Sequence, residues 1–160
     1  MGHSTIWQFD SKSEAETIRL GHAIAAKLQA RDVIALAGDL GTGKTRLVQA
    51  IAEGLGVDRD EVNSPTFVLI QHYDGRLTMH HLDVYRLRDE DEFLDLGVDE
   101  LFDGDGVTLI EWADRVTDAI PEDAMWICGT VTGEQSRQFD FRGLDRGEQL
   151  SLNVQAVVSE

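Results

Sequence analysis

The run Gly38-Asp39-Leu40-Gly41-Thr42-Gly43-Lys44-Thr45 fits the pattern G-x-x-x-x-G-K-[ST] of a loop that cradles phosphates. Glycines at these positions let successive backbone N–H groups curl around phosphate oxygens. A helix opening at the end of the loop adds its positive N-terminal end. The pattern assigns Lys44 to the β- and γ-phosphates and the Thr45 hydroxyl to Mg²⁺. An octahedral Mg²⁺ also wants an acidic residue at the end of a neighbouring strand. Val107-Thr108-Leu109-Ile110-Glu111 supplies one, so Glu111 is the candidate second acid on the metal side, directly or through water. Asp83 ends the preceding strand and is a second candidate, orienting the attacking water or the metal's water shell, or else simply pairing with Arg86.

Other residues are less decisive. Thr66, within Ser64-Pro65-Thr66, either senses a γ-phosphate, as switch loops do, or simply starts a strand. Trp112 follows Glu111 directly and reads equally as core, nucleotide contact or partner contact. His72, His80 and His81 do not read as a metal site, since His80 and His81 point to opposite faces of one strand. Cys128 lies in an apolar strand and reads as a small buried hydrophobe. No arginine finger is evident, although Arg46 and Arg86 are within the relevant stretches, so weak turnover of the isolated protein is expected.

Such residues must be held by a sheet and its helices. Val33 to Ala37 is a continuous apolar run, as in a strand buried on both faces of a parallel sheet. The helix after the glycine loop places Leu47, Val48, Ile51, Ala52 and Leu55 on one face and closes at Gly54 or Gly56. Before the loop, a strand at Ile6 to Phe9 leads to a helix capped by Ser11 or Ser13 and ending near Ala30. Thr66 to Tyr73 and Arg76 to Asp83 flank Asp74-Gly75, which predicts a hairpin with a type I′ turn. A short acidic helix over Glu90 to Leu96 stops at Gly97, and strands follow at Val107 to Ile110, Ala124 to Thr132 and Ser136 to Arg142. A helix after Asp145 is weakly supported, because Gly147 and Asn153 oppose it. The expected fold is α/β: one P-loop NTPase-like domain over residues 1–160, its sheet mainly parallel and flanked by helices, with an added antiparallel portion. Met1, Gly2 and His3 read as a cloning remnant.

Composition narrows the function classes. Thirty acidic against fourteen basic residues give a net charge of −16, which disfavours nucleic-acid binding by bulk electrostatics. Between Asp83 and Asp118 stand 13 acidic and 3 basic residues, either a solvated face or a docking surface for a basic partner. One cysteine permits no internal disulfide, and no membrane span or signal peptide is read, so a reducing, cytoplasmic compartment is expected.

Together, the glycine loop, Ser64-Pro65-Thr66-Phe67, His81-Leu82-Asp83-Val84-Tyr85-Arg86-Leu87 and Leu109-Ile110-Glu111-Trp112 resemble the bacterial TsaE family, in order and over nearly the whole chain. The resemblance implies a small ATPase needed for the threonylcarbamoyl modification of adenosine 37 in tRNA. It implies that ATP binding allows docking on the partners TsaD and TsaB, that hydrolysis resets the complex, and that the partners hold the tRNA. Matched by residue, Gly38, Asp39, Leu40, Gly41, Thr42, Gly43, Lys44, Thr45 and Arg46 would bind ATP, with Thr45 and Glu111 on the Mg²⁺ side. Lys44, Thr66, Asp83 and Glu111 would serve the reaction, with Trp112 as their neighbour. Thr42 stands where many relatives have alanine, a harmless change in a loop that works through its backbone. ATP follows from the resemblance, because no guanine-reading Asn-Lys-x-Asp motif occurs. Two other readings stay open: a small-molecule P-loop kinase, disfavoured because the segment that would form a lid is acidic, and a nucleotide-gated binding switch without useful hydrolysis.

Overall fold

The computed structural model describes residues 4–38, 44–62 and 70–159. Seven strands form one sheet in the order β1-β7-β6-β2-β5-β4-β3. In chain order these are β1 (Trp7–Ser11), β2 (Val33–Gly38), β3 (Ile70–Tyr73), β4 (Met79–Asp83), β5 (Val107–Glu111), β6 (Met125–Val131) and β7 (Arg137–Gly143). The four central strands β6, β2, β5 and β4 run parallel. Antiparallel strands extend the sheet at both edges, with β7 and then β1 on one side and β3 on the other. The mainly parallel centre with an antiparallel portion is therefore as the sequence predicts.

Strand alternation sends successive side chains to opposite faces, and each face carries its own core. Ile34, Leu36, Met79, Leu109, Met125 and Ile127 form one core with the helices α1 (Glu14–Lys27), α2 (Lys44–Gly54) and α5 (Arg146–Val158). Val33, Ala35, Leu82, Ile110 and Trp126 form the other, beneath the short helices α3 (Glu90–Leu94) and α4 (Val98–Asp103) and the 3₁₀ segment Ala113–Ala119. Leu47, Val48, Ile51, Ala52 and Leu55 are all buried, so α2 docks by the face its spacing predicts. Ser13 caps α1, its hydroxyl accepting from the Glu16 N–H at 3.2 Å. Helix α5 forms despite Gly147 and Asn153. Arg146 at its start clamps the buried Asp32 carboxylate through Nε at 2.8 Å and Nη2 at 2.9 Å, and Leu150 and Val154 reach the core.

Two predicted details change. Arg76 does not follow a type I′ turn into the strand: Tyr73 pairs with Met79, leaving residues 74–78 as the connection. Tertiary contacts draw this loop away. The Arg76 N–H donates to the Leu55 carbonyl at 2.6 Å, and its guanidinium donates to the Ala25 carbonyl at 2.6 Å. Gly75 packs so closely that an added Cβ would lie 2.4 Å from the Leu55 oxygen. The acidic segment also holds two helices where one was expected, with Gly97 in the left-handed region (φ 79°) between them. Of the strand predicted from Thr66 to Tyr73, Ile70–Tyr73 forms β3 and the part before it lies outside the described residues.

Candidate nucleotide site

The parallel strands bring two sequence-predicted residues, Asp83 and Glu111, level with Leu36 near the end of β2. Register pairs Leu36 of β2 with Glu111 of β5, and Glu111 with Asp83 of β4, so all three stand at the carboxyl ends of adjacent strands. Ligands of open α/β sheets bind in the crevice outside such ends. Met79 and Leu109 belong to the core beneath α2, so by alternation Asp83 and Glu111 face the same side as that helix. Gly38 closes β2 with φ at 124°, and an added Cβ would lie 2.3 Å from the Gly129 carbonyl oxygen. A side chain there would be excluded twice, by backbone conformation and by the neighbouring strand.

Helix α2 opens at Lys44, so Thr45 lies in its first turn, over the strand ends. The Thr45 hydroxyl donates to Glu111 Oε1 at 3.1 Å. Asp39, Leu40, Gly41, Thr42 and Gly43 lie outside the described residues, as do Thr66 and the Lys44 side chain. Arg46 is half-exposed and ion-paired with Glu14 at 2.7 Å, which ties the starts of α1 and α2 together. A groove of about 550 Å³ opens beside them, lined among others by Ser13, Thr17, Thr45, Arg46, Gln49 and Arg137.

Glu111 is only 2% exposed, and its second oxygen also has a partner. His81 Nε2 lies 2.6 Å from Glu111 Oε2, and His81 itself is fully buried. With Thr45 donating to one carboxylate oxygen, the imidazole N–H donates to the other. His81 Nδ1 is then left buried with no hydrogen-bond partner among the described residues. An unmade hydrogen bond of this kind costs about 1–3 kcal/mol, a penalty an apolar residue would not incur. In the sequence, His81 stands at the head of His81-Leu82-Asp83-Val84-Tyr85-Arg86-Leu87 without an assigned role. Its signal was the spacing His81-x-Asp83, which puts both side chains on one face of β4.

The other two histidines of this region pair with each other. His72 and His80 meet Nδ1 to Nδ1 at 2.7 Å across β3 and β4, and no group of three or more potential metal ligands occurs among the described residues. Asp83 Oδ1 accepts the Tyr85 N–H at 2.9 Å, turning the chain at the end of β4. Trp112 adopts the left-handed region (φ 62°) immediately after Glu111 and leans its half-buried ring on Tyr85, centroids 4.8 Å apart. Arg115 covers the other partner of this pair, its guanidinium 5.0 Å from the Tyr85 ring centroid. Cys128 is half-buried, and burial pushes its thiol up, away from nucleophilic use.

The donor set is hard oxygen: the Thr45 hydroxyl, the Glu111 carboxylate and the nearby Asp83. That fits Mg²⁺, which commonly keeps several waters and takes one or two carboxylates together with substrate phosphates. A family model described as "Threonylcarbamoyl adenosine biosynthesis protein TsaE" matches residues 11–139. The chain belongs to the TsaE family. The TsaE protein of Bacillus subtilis (strain 168), named a tRNA threonylcarbamoyladenosine biosynthesis protein, is 45% identical over 127 residues, covering 79% of this chain and 78% of the relative. The TsaE protein of Treponema pallidum (strain Nichols) is 41% identical over 128 residues, 80% of this chain and 94% of the relative. The crystal structure of Bacillus subtilis YdiB superposes with a TM-score of 0.80 at 31% identity, covering 98% of this chain and 99% of that one. TsaE membership thus places the chain in tRNA threonylcarbamoyladenosine biosynthesis.

Proposed function

We propose that the chain binds Mg-ATP at the carboxyl ends of β2, β5 and β4, hydrolyses it slowly by itself, and uses the nucleotide to dock on TsaD and TsaB. The observation that carries this reading is the hydrogen bond from Thr45 to Glu111, made where the glycine motif meets the strand ends. A hydroxyl that donates its proton to Glu111 keeps its lone pairs directed elsewhere, as a hydroxyl ligand of Mg²⁺ must. Bound Mg²⁺ would neutralise charge building on the phosphates during transfer to water. Glu111 would act through Thr45 or a metal-bound water, since both its oxygens already have partners. Lys44 and the backbone of 38–43 would hold the phosphates, and the groove beside Thr45 offers room for the nucleoside. Asp83 stands beside Glu111 in register, in position to orient a water.

Phosphoryl transfer is mostly positioning and charge stabilisation, so a site whose nearby Arg46 is engaged by Glu14 should turn over slowly. Phosphate release by the purified chain tests this. Weak release that disappears in Lys44→Ala is expected, while unchanged release in that variant would remove the site assignment. Phosphate appearing on a small acceptor instead of free in solution would favour a kinase. The acidic segment argues against a kinase, since α3 and α4 carry Glu90, Asp91, Glu92, Asp99, Glu100 and Asp103 where a phosphate-binding lid would want cations.

A further inference from the structure

Glu111 holds two hydrogen bonds from opposite sides, Thr45 on Oε1 at 3.1 Å and His81 on Oε2 at 2.6 Å. The two donors come from different elements, α2 and β4, and meet on a carboxylate supplied by β5. Thr45 approaches from the solvent-accessible groove, whereas His81 is fully buried beneath the site. The imidazole has no second partner among the described residues, so its hydrogen bond to Glu111 is its one polar engagement among them. Register makes the contact possible: His81 pairs with Leu109, two residues before Glu111, so the ring reaches forward along the parallel strand pair to the carboxylate. A ring cannot slide along the carboxylate as water can. Its N–H fixes which oxygen of Glu111 turns inward and which turns to Thr45.

We propose that His81 is a positioning residue for the metal side of the site: it holds Glu111 so that one carboxylate oxygen always faces Thr45 and the ion that Thr45 would bind. This rests on the reading of Thr45 and Glu111 as the Mg²⁺ side of a nucleotide site. Partners of this kind, one step removed from the metal, change metal affinity by about 10–100-fold when lost.

Glutamine and asparagine separate a positioning role from a packing role, because the Gln amide nitrogen reaches approximately where Nε2 lies and the Asn amide only where Nδ1 lies. Binding of a fluorescent ATP analogue is followed as Mg²⁺ is titrated into the wild type, His81→Gln, His81→Asn and Lys44→Ala. His81→Asn should need about 10-fold more Mg²⁺ for half-maximal response. His81→Gln should stay near the wild type, and binding in EDTA should be equal in the wild type and the two His81 variants. Equal Mg²⁺ responses of the Gln and Asn variants would overturn the proposal. Nucleotide binding that survives in Lys44→Ala would instead overturn the site reading beneath it. Nitrogen NMR of the nucleotide-free wild type gives a readout independent of any variant's folding. The His81 ring should carry its proton on Nε2 at neutral pH, and a ring protonated on Nδ1 alone would contradict the hydrogen bond to Glu111.

Discussion

Glu111 is where a residue-level change separates binding from chemistry. Glu111→Gln keeps the shape, but an amide offers one acceptor oxygen where Thr45 and His81 need two. One of those donors must then face the amide N–H₂. Nucleotide binding in EDTA should survive, while the Mg²⁺ dependence of binding shifts by at least about 10-fold, as read by fluorescent nucleotide titration. A shift no larger than that of a surface carboxylate variant would deny Glu111 its metal-side role. At this scale the sequence identified Thr45, Glu111 and Asp83 by motif and strand end, and the structure brings all three together. His81 was legible as one of three histidines and as part of the segment His81 to Leu87, but its meeting with Glu111 was not, because that depends on β4 lying beside β5.

Among the elements, the β3–β4 hairpin is where acid should be felt first. His80 is held between His72 and Gly106, whose added Cβ would lie 2.8 Å from His80 Nε2. Burial, and then the neighbouring His72, lower the His80 pKa below its ordinary 6.5. A base whose folded pKa is depressed binds its proton more readily in the unfolded chain. Its contribution is therefore fully present above about pH 6.5 and is lost as pH falls from there through the folded pKa. Chemical denaturation at pH 7.5 and 5.5 should show a smaller acid loss of stability in His80→Gln than in the wild type. An identical loss would show that the hairpin histidine does not contribute. The same hairpin shows the limit of local reading. Asp74-Gly75 is a strong short-range turn signal, yet Arg76 is claimed by the carbonyls of Ala25 and Leu55. Strands with continuous apolar runs, such as Val33 to Ala37, were legible because burial on both faces leaves no other composition. Helix α4 was not, since its six residues include three acids and only Val98 is fully buried.

For the whole molecule, charge and topology divide the surface. Helices α1 and α2 occupy one face of the sheet, and the acidic helices α3 and α4 cover the other, anchored by Phe93 and Val98. A net charge of −16 leaves little reason for this chain to hold tRNA itself. Membership of a tRNA-modifying family is compatible with that if partner proteins carry the nucleic acid. Nucleotide would then act as the signal that decides when this chain is docked. The most direct test is capture of TsaD and TsaB by the purified chain with ATP and Mg²⁺, without nucleotide, and with Lys44→Ala in place of the wild type. Capture is expected for the wild type with ATP and Mg²⁺, and none without nucleotide or with Lys44→Ala. Equal capture in all three conditions would contradict it.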